Sequence, residues 1–249
     1  MKLWSETILP GSYNRIESGL QHKGNMVFLH GTGSSSAMWR QQVKYFSAKG
    51  YVCTLIDLRG HGASHEPYEK TDITVHKKDV LETLAVAKIN SPAYFVGHSL
   101  GAILSMSIAE ENPHLVKRVF AACLPGKILP PVLKGFELLI SGPLQALKDS
   151  DLKQYLGWRE QILVEMPIYT LREIANNFAD IDYLNKVPAV KCPVHLASAR
   201  FDPVAVCWQS KKIQQKIPGS TLKTFEWAGH NVMDYRADDF NQWIASYLD

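Results

Sequence analysis

Residues 94–113 read YFVGHSLGAILSMSIAEENP: an apolar run of strand length, then Gly97-His98-Ser99-Leu100-Gly101, then a stretch that predicts a helix. Glycines on both sides of one hydroxyl, where a strand hands over to a helix, permit a sharp, strained turn that holds a serine Oγ above a sheet edge. A plain tight turn would explain Gly-x-Ser-x-Gly taken alone, because both residue types are common in turns. The flanking strand and helix favour the exposed serine.

The same rhythm extends in both directions. NMVFLH (25–30) and YVCTLID (51–57) are apolar runs of strand length, and AMWRQQVKYFSAKG (37–50) between them predicts a helix ending at Gly50. A helix near 73–89, the strand AYFVG, a helix over 99–111 and the strand RVFAAC continue the alternation. PVHLASA, a helix over 208–216, TLKTFEWA and a last amphipathic helix over 238–248 complete it. Strands apolar on both faces imply a mostly parallel, doubly covered α/β sheet. Ahead of it, LWSETIL and NRIES flank Pro10-Gly11-Ser12 and predict an N-terminal hairpin. Residues 126–187 break the beat with helical segments interrupted at Pro130-Pro131, Pro143 and Pro167, which reads as a helical insertion in a core formed by 1–125 and 188–249.

A chain of 249 residues and 28.0 kDa can bury a sizeable core as one domain. Its 46% hydrophobic and 20% charged content excludes wholesale disorder and fibrous classes. The formal charge of +3 comes from scattered Lys and Arg, so nucleic acid is not the expected partner. Residues 1–10 carry Glu6 and no long apolar core, and no run approaches a membrane span, so a cytoplasmic location without a signal peptide is expected. Cys53, Cys123, Cys192 and Cys207 form no CxxC pair and read as buried free thiols, Cys123 standing where a strand should end. No metal or cofactor is expected.

A serine hydroxyl attacks well only when an imidazole takes its proton and a carboxylate orients that imidazole. EWAGHNVMD sets His230 just past the last predicted strand, and HLASARFDPVAV sets Asp202 just past the one before. Their order, Ser then Asp then His, suits this architecture. His22, His65, His76 and His114 fall in predicted turns or helices, His195 lies in a strand and His61 in a loop, positions that surface or packing roles explain. His30 and His98 lie beside the presumed site and are expected to shape it. Asp57 also ends a strand, but the RGHGAS stretch after it reads as a structural loop, so Asp202 is preferred. For the oxyanion, the Leu100 N–H at a helix start is free of intrahelical partners, and the HGTGSSS loop offers close backbone approach around Gly31, with Thr32 as the second donor. That loop lacks the ending of a P-loop and the full GxGxxG of a dinucleotide site.

Together, His30-Gly31, Asp57-Leu58-Arg59-Gly60-His61-Gly62-x-Ser64, Gly97-His98-Ser99-Leu100-Gly101, Asp202 and Gly229-His230 resemble the α/β-hydrolase family along nearly the whole chain. The resemblance implies the α/β-hydrolase fold, a Ser99-Asp202-His230 triad, an oxyanion hole from the Thr32 and Leu100 amides, and a cap formed by 126–187. Ala102 replaces a glycine common after the elbow, and no Glu-x-Pro follows His230. The expected activity is hydrolysis of small to medium apolar esters or thioesters, with Gly31, His98, Phe136, Trp158 and Met233 as candidate substrate contacts. Carbon–carbon bond hydrolysis, a menaquinone-pathway type of lyase reaction and a slow-turnover ligand receptor stay open as alternatives, and the oligomeric state is undetermined.

Overall fold

The computed structural model describes residues 1–11, 22–65, 72–89, 92–139, 142–143, 145–148 and 150–248. Its first half opens with β1 Ser5–Ile8 and then alternates: β2 Gly24–Leu29, α1 Arg40–Ser47, β3 Tyr51–Ile56, α2 Ile73–Val86, β4 Ala93–His98, α3 Leu100–Glu111 and β5 Val116–Ala122. Between β5 and β6 the described residues then form the α-helices α4 Pro130–Leu139, α5 Gln145–Lys148, α6 Trp158–Glu165 and α7 Ile168–Ala179, within the segment read as an insertion. The chain then returns to the sheet with β6 Val194–Ala199, α8 Cys207–Lys216, β7 Thr221–Phe225, α9 Val232–Tyr235 and α10 Ala237–Ala245.

The strands form one seven-stranded sheet in the order β1-β3-β2-β4-β5-β6-β7, parallel except for β1, which runs antiparallel to β3. The expected hairpin partner of β1, NRIES, lies outside the described residues. Alternation along each strand splits the core in two, since successive side chains point to opposite faces. Val27, Leu29, Phe95, Val119 and Ala121 pack with Val80 and Leu84 of α2, Ile103 and Met106 of α3 and Ile213 of α8. Met26, Phe28, Tyr94, Val96, Phe120 and Ala122 pack on the other face with Val43 and Phe46 of α1 and Phe240, Trp243 and Ile244 of α10. With both faces covered, β4 and β6 are buried along their whole length, as continuous apolar strands require.

The insertion has its own small core of Val164, Met166 and Leu171, with Phe136, Leu147, Leu156, Leu163 and Ile168 packed around it. It also presses on the body. A Cβ added to Gly33 would stand 2.5 Å from Leu163 Cδ1, and one added to Gly60 would stand 2.4 Å from Thr170 Cγ2. Thus α6 and α7 lie against the loops that leave the carboxyl ends of β2 and β3, the edge where open α/β sheets carry their sites. No helix among the described residues is long and apolar enough to cross a membrane.

Candidate active site

The motif glycines and the motif serine divide the work of the turn. Ser99 itself takes the strained conformation, φ 50° and ψ −111°, which costs on the order of 1–3 kcal/mol for a residue with a side chain. Gly97 and Gly101 have ordinary φ and serve packing instead. A Cβ on Gly97 would meet the Gly101 carbonyl oxygen at 2.3 Å, and one on Gly101 would meet that of Leu29 at 2.1 Å. β4, α3 and β2 therefore cross backbone to backbone, and the serine between them cannot relax. The Ser99 amide is tied to the Ala122 carbonyl at 3.0 Å, while its own carbonyl accepts from Ala102 and Ile103 to start α3. Leu100 is the first residue of that helix, where backbone N–H groups lack intrahelical acceptors.

Asp202 and His230 stand on the loops after β6 and β7 and meet as a pair. His230 Nδ1–H donates to Asp202 Oδ2 at 2.8 Å, while Asp202 Oδ1 accepts from the Val204 and Ala205 amides at 2.8 and 2.9 Å. Burial alone would raise the Asp202 carboxyl, yet the His230 contact and the two amides outweigh it and hold Asp202 below the usual carboxylate range. A carboxylate that stays ionised fixes the imidazole tautomer, leaving Nε2 free to accept a proton. Asp57 is occupied elsewhere: its two oxygens accept the Ser36 and Ala63 amides at 2.6 and 2.9 Å.

His98 joins the pair to the elbow. Its ring lies 4.6 Å from that of His230, and its Nε2–H donates to the His230 carbonyl at 2.8 Å. Burial first, then neighbouring His230, holds His98 well below the ordinary imidazole value, so it is neutral, with its Nδ1 lone pair buried under Gly31. A Cβ on Gly31 would stand 2.6 Å from that atom and 3.2 Å from Ser99 Cβ, which explains the glycine beside Thr32. Thr32 Oγ1 is buried without a partner among the described residues.

Other residues near the pair are brought in by the fold. Cys123, with φ 50° at the end of β5, is fully buried against Asp202, and burial followed by that carboxylate pushes its thiol well up. His98, Cys123 and His230 hold potential ligand atoms within 4.8 Å of one another. Arg159 of α6 donates to Asn231 Oδ1 at 3.1 Å and to Asp234 Oδ2, fastening the insertion to the segment after His230. Only a sequence separation of more than seventy residues closed by folding reveals that latch.

The expected substrate contacts are distributed unequally. Trp158 lies between two guanidinium groups, Arg40 at 4.5 Å and Arg159 at 4.7 Å from its ring centre. It lines a mainly apolar cavity of about 680 Å³ with Ala37, Arg40, Gly60, Ile162 and Met166. That cavity flanks α6 without reaching Ser99 or His230, and Leu163, on the adjoining face of the same helix, covers Gly33. Phe136 packs inside the insertion's own core. Met233 is fully buried in the body, with its carbonyl taken by Gln42.

Residues 24–157 match the alpha/beta hydrolase fold family, and the chain belongs to that family. It is similar to (E)-2-((N-methylformamido)methylene)succinate hydrolase of Acinetobacter baylyi, 24% identical over 243 residues and covering 90% of each chain. Among solved structures, the enol-lactonase from Burkholderia xenovorans superposes with a TM-score of 0.83 at 22% identity, covering 99% of this chain and 96% of the other. An esterase from Exiguobacterium antarcticum does so with a TM-score of 0.81 at 18% identity, covering 99% and 95%. Hydrolase chemistry is thus the family's common ground, and the two superpositions speak for the fold.

Proposed function

We propose that this hydrolase cleaves carboxylic esters or thioesters of small to medium apolar acyl compounds through an acyl-Ser99 intermediate. The observation that carries the reading is the 2.8 Å Asp202–His230 pair, held through His98 next to a serine on a strained elbow. His230 Nε2 accepts the Ser99 hydroxyl proton as Oγ attacks the carbonyl carbon. The resulting oxyanion accepts hydrogen bonds from the Thr32 and Leu100 amides, each worth on the order of 3 kcal/mol in the transition state. The protonated imidazole then gives its proton to the departing alcohol or thiol. A water deprotonated by His230 attacks the acyl carbon and frees Ser99.

Residues 126–187 serve as the cap in this reading, with the apolar cavity beside Trp158 and Ile162 receiving the acyl chain when α6 moves aside. Pockets of this kind are mostly apolar with few polar anchors. Kinetics on p-nitrophenyl esters of graded length, acyl-CoA thioesters and a vinylogous diketone test the proposal. It predicts turnover of the esters with a chain-length optimum that Trp158→Ala shifts, and absence of all ester and thioester turnover would refute it.

One observation favours a second reading, hydrolysis of an acidic vinylogous substrate. The Acinetobacter relative acts on a substituted methylene succinate and matches 90% of both chains, and here half-exposed Arg40 lines the cavity. Preference for the diketone or for dicarboxylate esters, lost in Arg40→Met, would select it.

A further inference from the structure

The loop that carries Thr32 leaves β2 with two glycines in it. Gly31 and Gly33 flank Thr32, and Gly33 sits in the left-handed region with φ 73°, where glycine has the most backbone freedom to lose. A backbone donor helps a transition state only when its direction is fixed in advance. What fixes it is a reciprocal exchange of amides and imidazoles between this loop and the loop after β3. The Leu58 amide donates to His30 Nε2 at 2.9 Å, and the Gly33 amide donates to His61 Nε2 at 3.2 Å. Each ring's other nitrogen faces a carbonyl, Gly31 for His30 at 2.8 Å and Arg59 for His61 at 2.9 Å. A carbonyl only accepts, so Nδ1 carries the hydrogen on both rings and Nε2 offers its lone pair. The rings pack 4.9 Å apart and are fully buried, and burial, ahead of the neighbouring His30, holds His61 at about 3. His61 is therefore an acceptor throughout the neutral range.

We propose that His61 is a positioning residue for the oxyanion donor: by accepting the Gly33 amide it fixes the peptide after Thr32 while His30, donating to the Gly31 carbonyl, fixes the peptide that bears the Thr32 N–H, and the two together aim that N–H at a carbonyl oxygen bound over Ser99. The inference rests on the reading of Ser99 as nucleophile and Thr32 as donor. A packing role alone would need only the ring's volume. The positioning role needs an unprotonated acceptor at Nε2, and this separates the two.

The first measurement is long-range ¹H–¹⁵N correlation spectroscopy on the intact wild-type protein at neutral pH. His61 must appear as the neutral Nδ1–H tautomer, and an Nε2–H tautomer or an imidazolium overturns the proposal whatever the protein's activity. The second compares His61→Leu with His61→Gln, whose Oε1 still accepts a hydrogen bond. Rates are expressed per site titrated by a fluorophosphonate, so unfolded molecules do not count. His61→Leu should lower kcat for a p-nitrophenyl ester by about 10- to 100-fold, part of the 10²–10³ lost with a whole donor. KM should move less than about threefold and affinity for phenylboronic acid should fall with kcat, as expected when an interaction specific to the transition state is lost. His61→Gln should recover most of both. An unchanged kcat per titrated site in His61→Leu, or equal losses in both variants, overturns the proposal. Should the leucine variant not fold, the tautomer and the glutamine variant decide. Wild-type protein that neither turns over esters nor labels at Ser99 would overturn the hydrolase reading while leaving the tautomer result intact.

Discussion

Acid should unfold this protein through its buried histidines, which three of the most strongly shifted illustrate. Burial is the leading cause that lowers each of them from 6.5, His30 to about 4 and His61 and His76 to about 3. His98 is lowered in the same direction and His195 to about 4, in both by burial first. Unfolding returns each ring to water, where it titrates near 6.5. Between the folded and unfolded values the unfolded chain binds protons that the folded chain does not. Stability is therefore fully present above about pH 6.5 and is lost as the pH falls toward about 4 and then 3. With each pH unit worth about 1.4 kcal/mol, one ring loses about 2 kcal/mol by about pH 5. These three neighbouring rings together would lose on the order of 6 kcal/mol, a large part of an ordinary stability of about 5–15 kcal/mol. Urea unfolding at about pH 7.5 and about pH 5, followed by tryptophan fluorescence, measures the difference. His76→Leu should remove about 2 kcal/mol of it, the share of one ring. Neither of its nitrogens has a hydrogen-bond partner among the described residues. A wild-type change below about 1 kcal/mol at constant m-value would refute the assignment of these rings as buried and neutral.

Gly101→Ala should cost about 3 kcal/mol or more in thermal denaturation, since the new methyl would stand 2.1 Å from the Leu29 carbonyl oxygen and backbone cannot turn aside as a side chain can. Arg159→Met removes the donors that fasten α6 to Asn231 and Asp234. It should lower stability by about 1–3 kcal/mol and speed limited proteolysis within 158–165, and an unchanged cleavage pattern would exclude the latch. Asp202→Asn should lower kcat about 10⁴-fold with little change in Tm. Asp57→Asn should show mainly a lower Tm, because its oxygens hold the Ser36 and Ala63 amides, and the reverse pattern would exchange their roles.

The sheet was legible because its strands are apolar on both faces and its helices are not, so 25–30, 51–57, 93–97 and 118–123 stand out against their flanks. The candidate constellation was legible for a related reason: in this topology a polar residue at a strand's carboxyl end faces one common edge, and Ser99, Asp202 and His230 each follow a strand. What the sequence conceals depends on tertiary contact. Composition suggests that the glycines of the elbow take the strain, whereas Ser99 takes it and the glycines permit close crossing. Helical periodicity in the insertion does not say which apolar residue meets core, cavity or solvent: Phe136 packs internally, Trp158 lines the cavity, and Tyr155 is 80% exposed. Met233 is fully buried in the body, because the short helix α9 directs it inward, and nothing local announces a four-residue helix. His61 reads as a loop histidine until the fold brings Gly33 to its ring.

Intact mass spectrometry of the protein quenched during turnover of a p-nitrophenyl ester tests the central claim most directly. A covalent nucleophile predicts a population heavier by one acyl group, mapped by peptide sequencing to Ser99 within 94–113 and absent from Ser99→Ala, which should lose about 10⁴-fold or more in rate. A Ser99→Ala protein that keeps more than a few per cent of the wild-type rate at unchanged thermal stability, or an acyl group carried on any other residue, would contradict it.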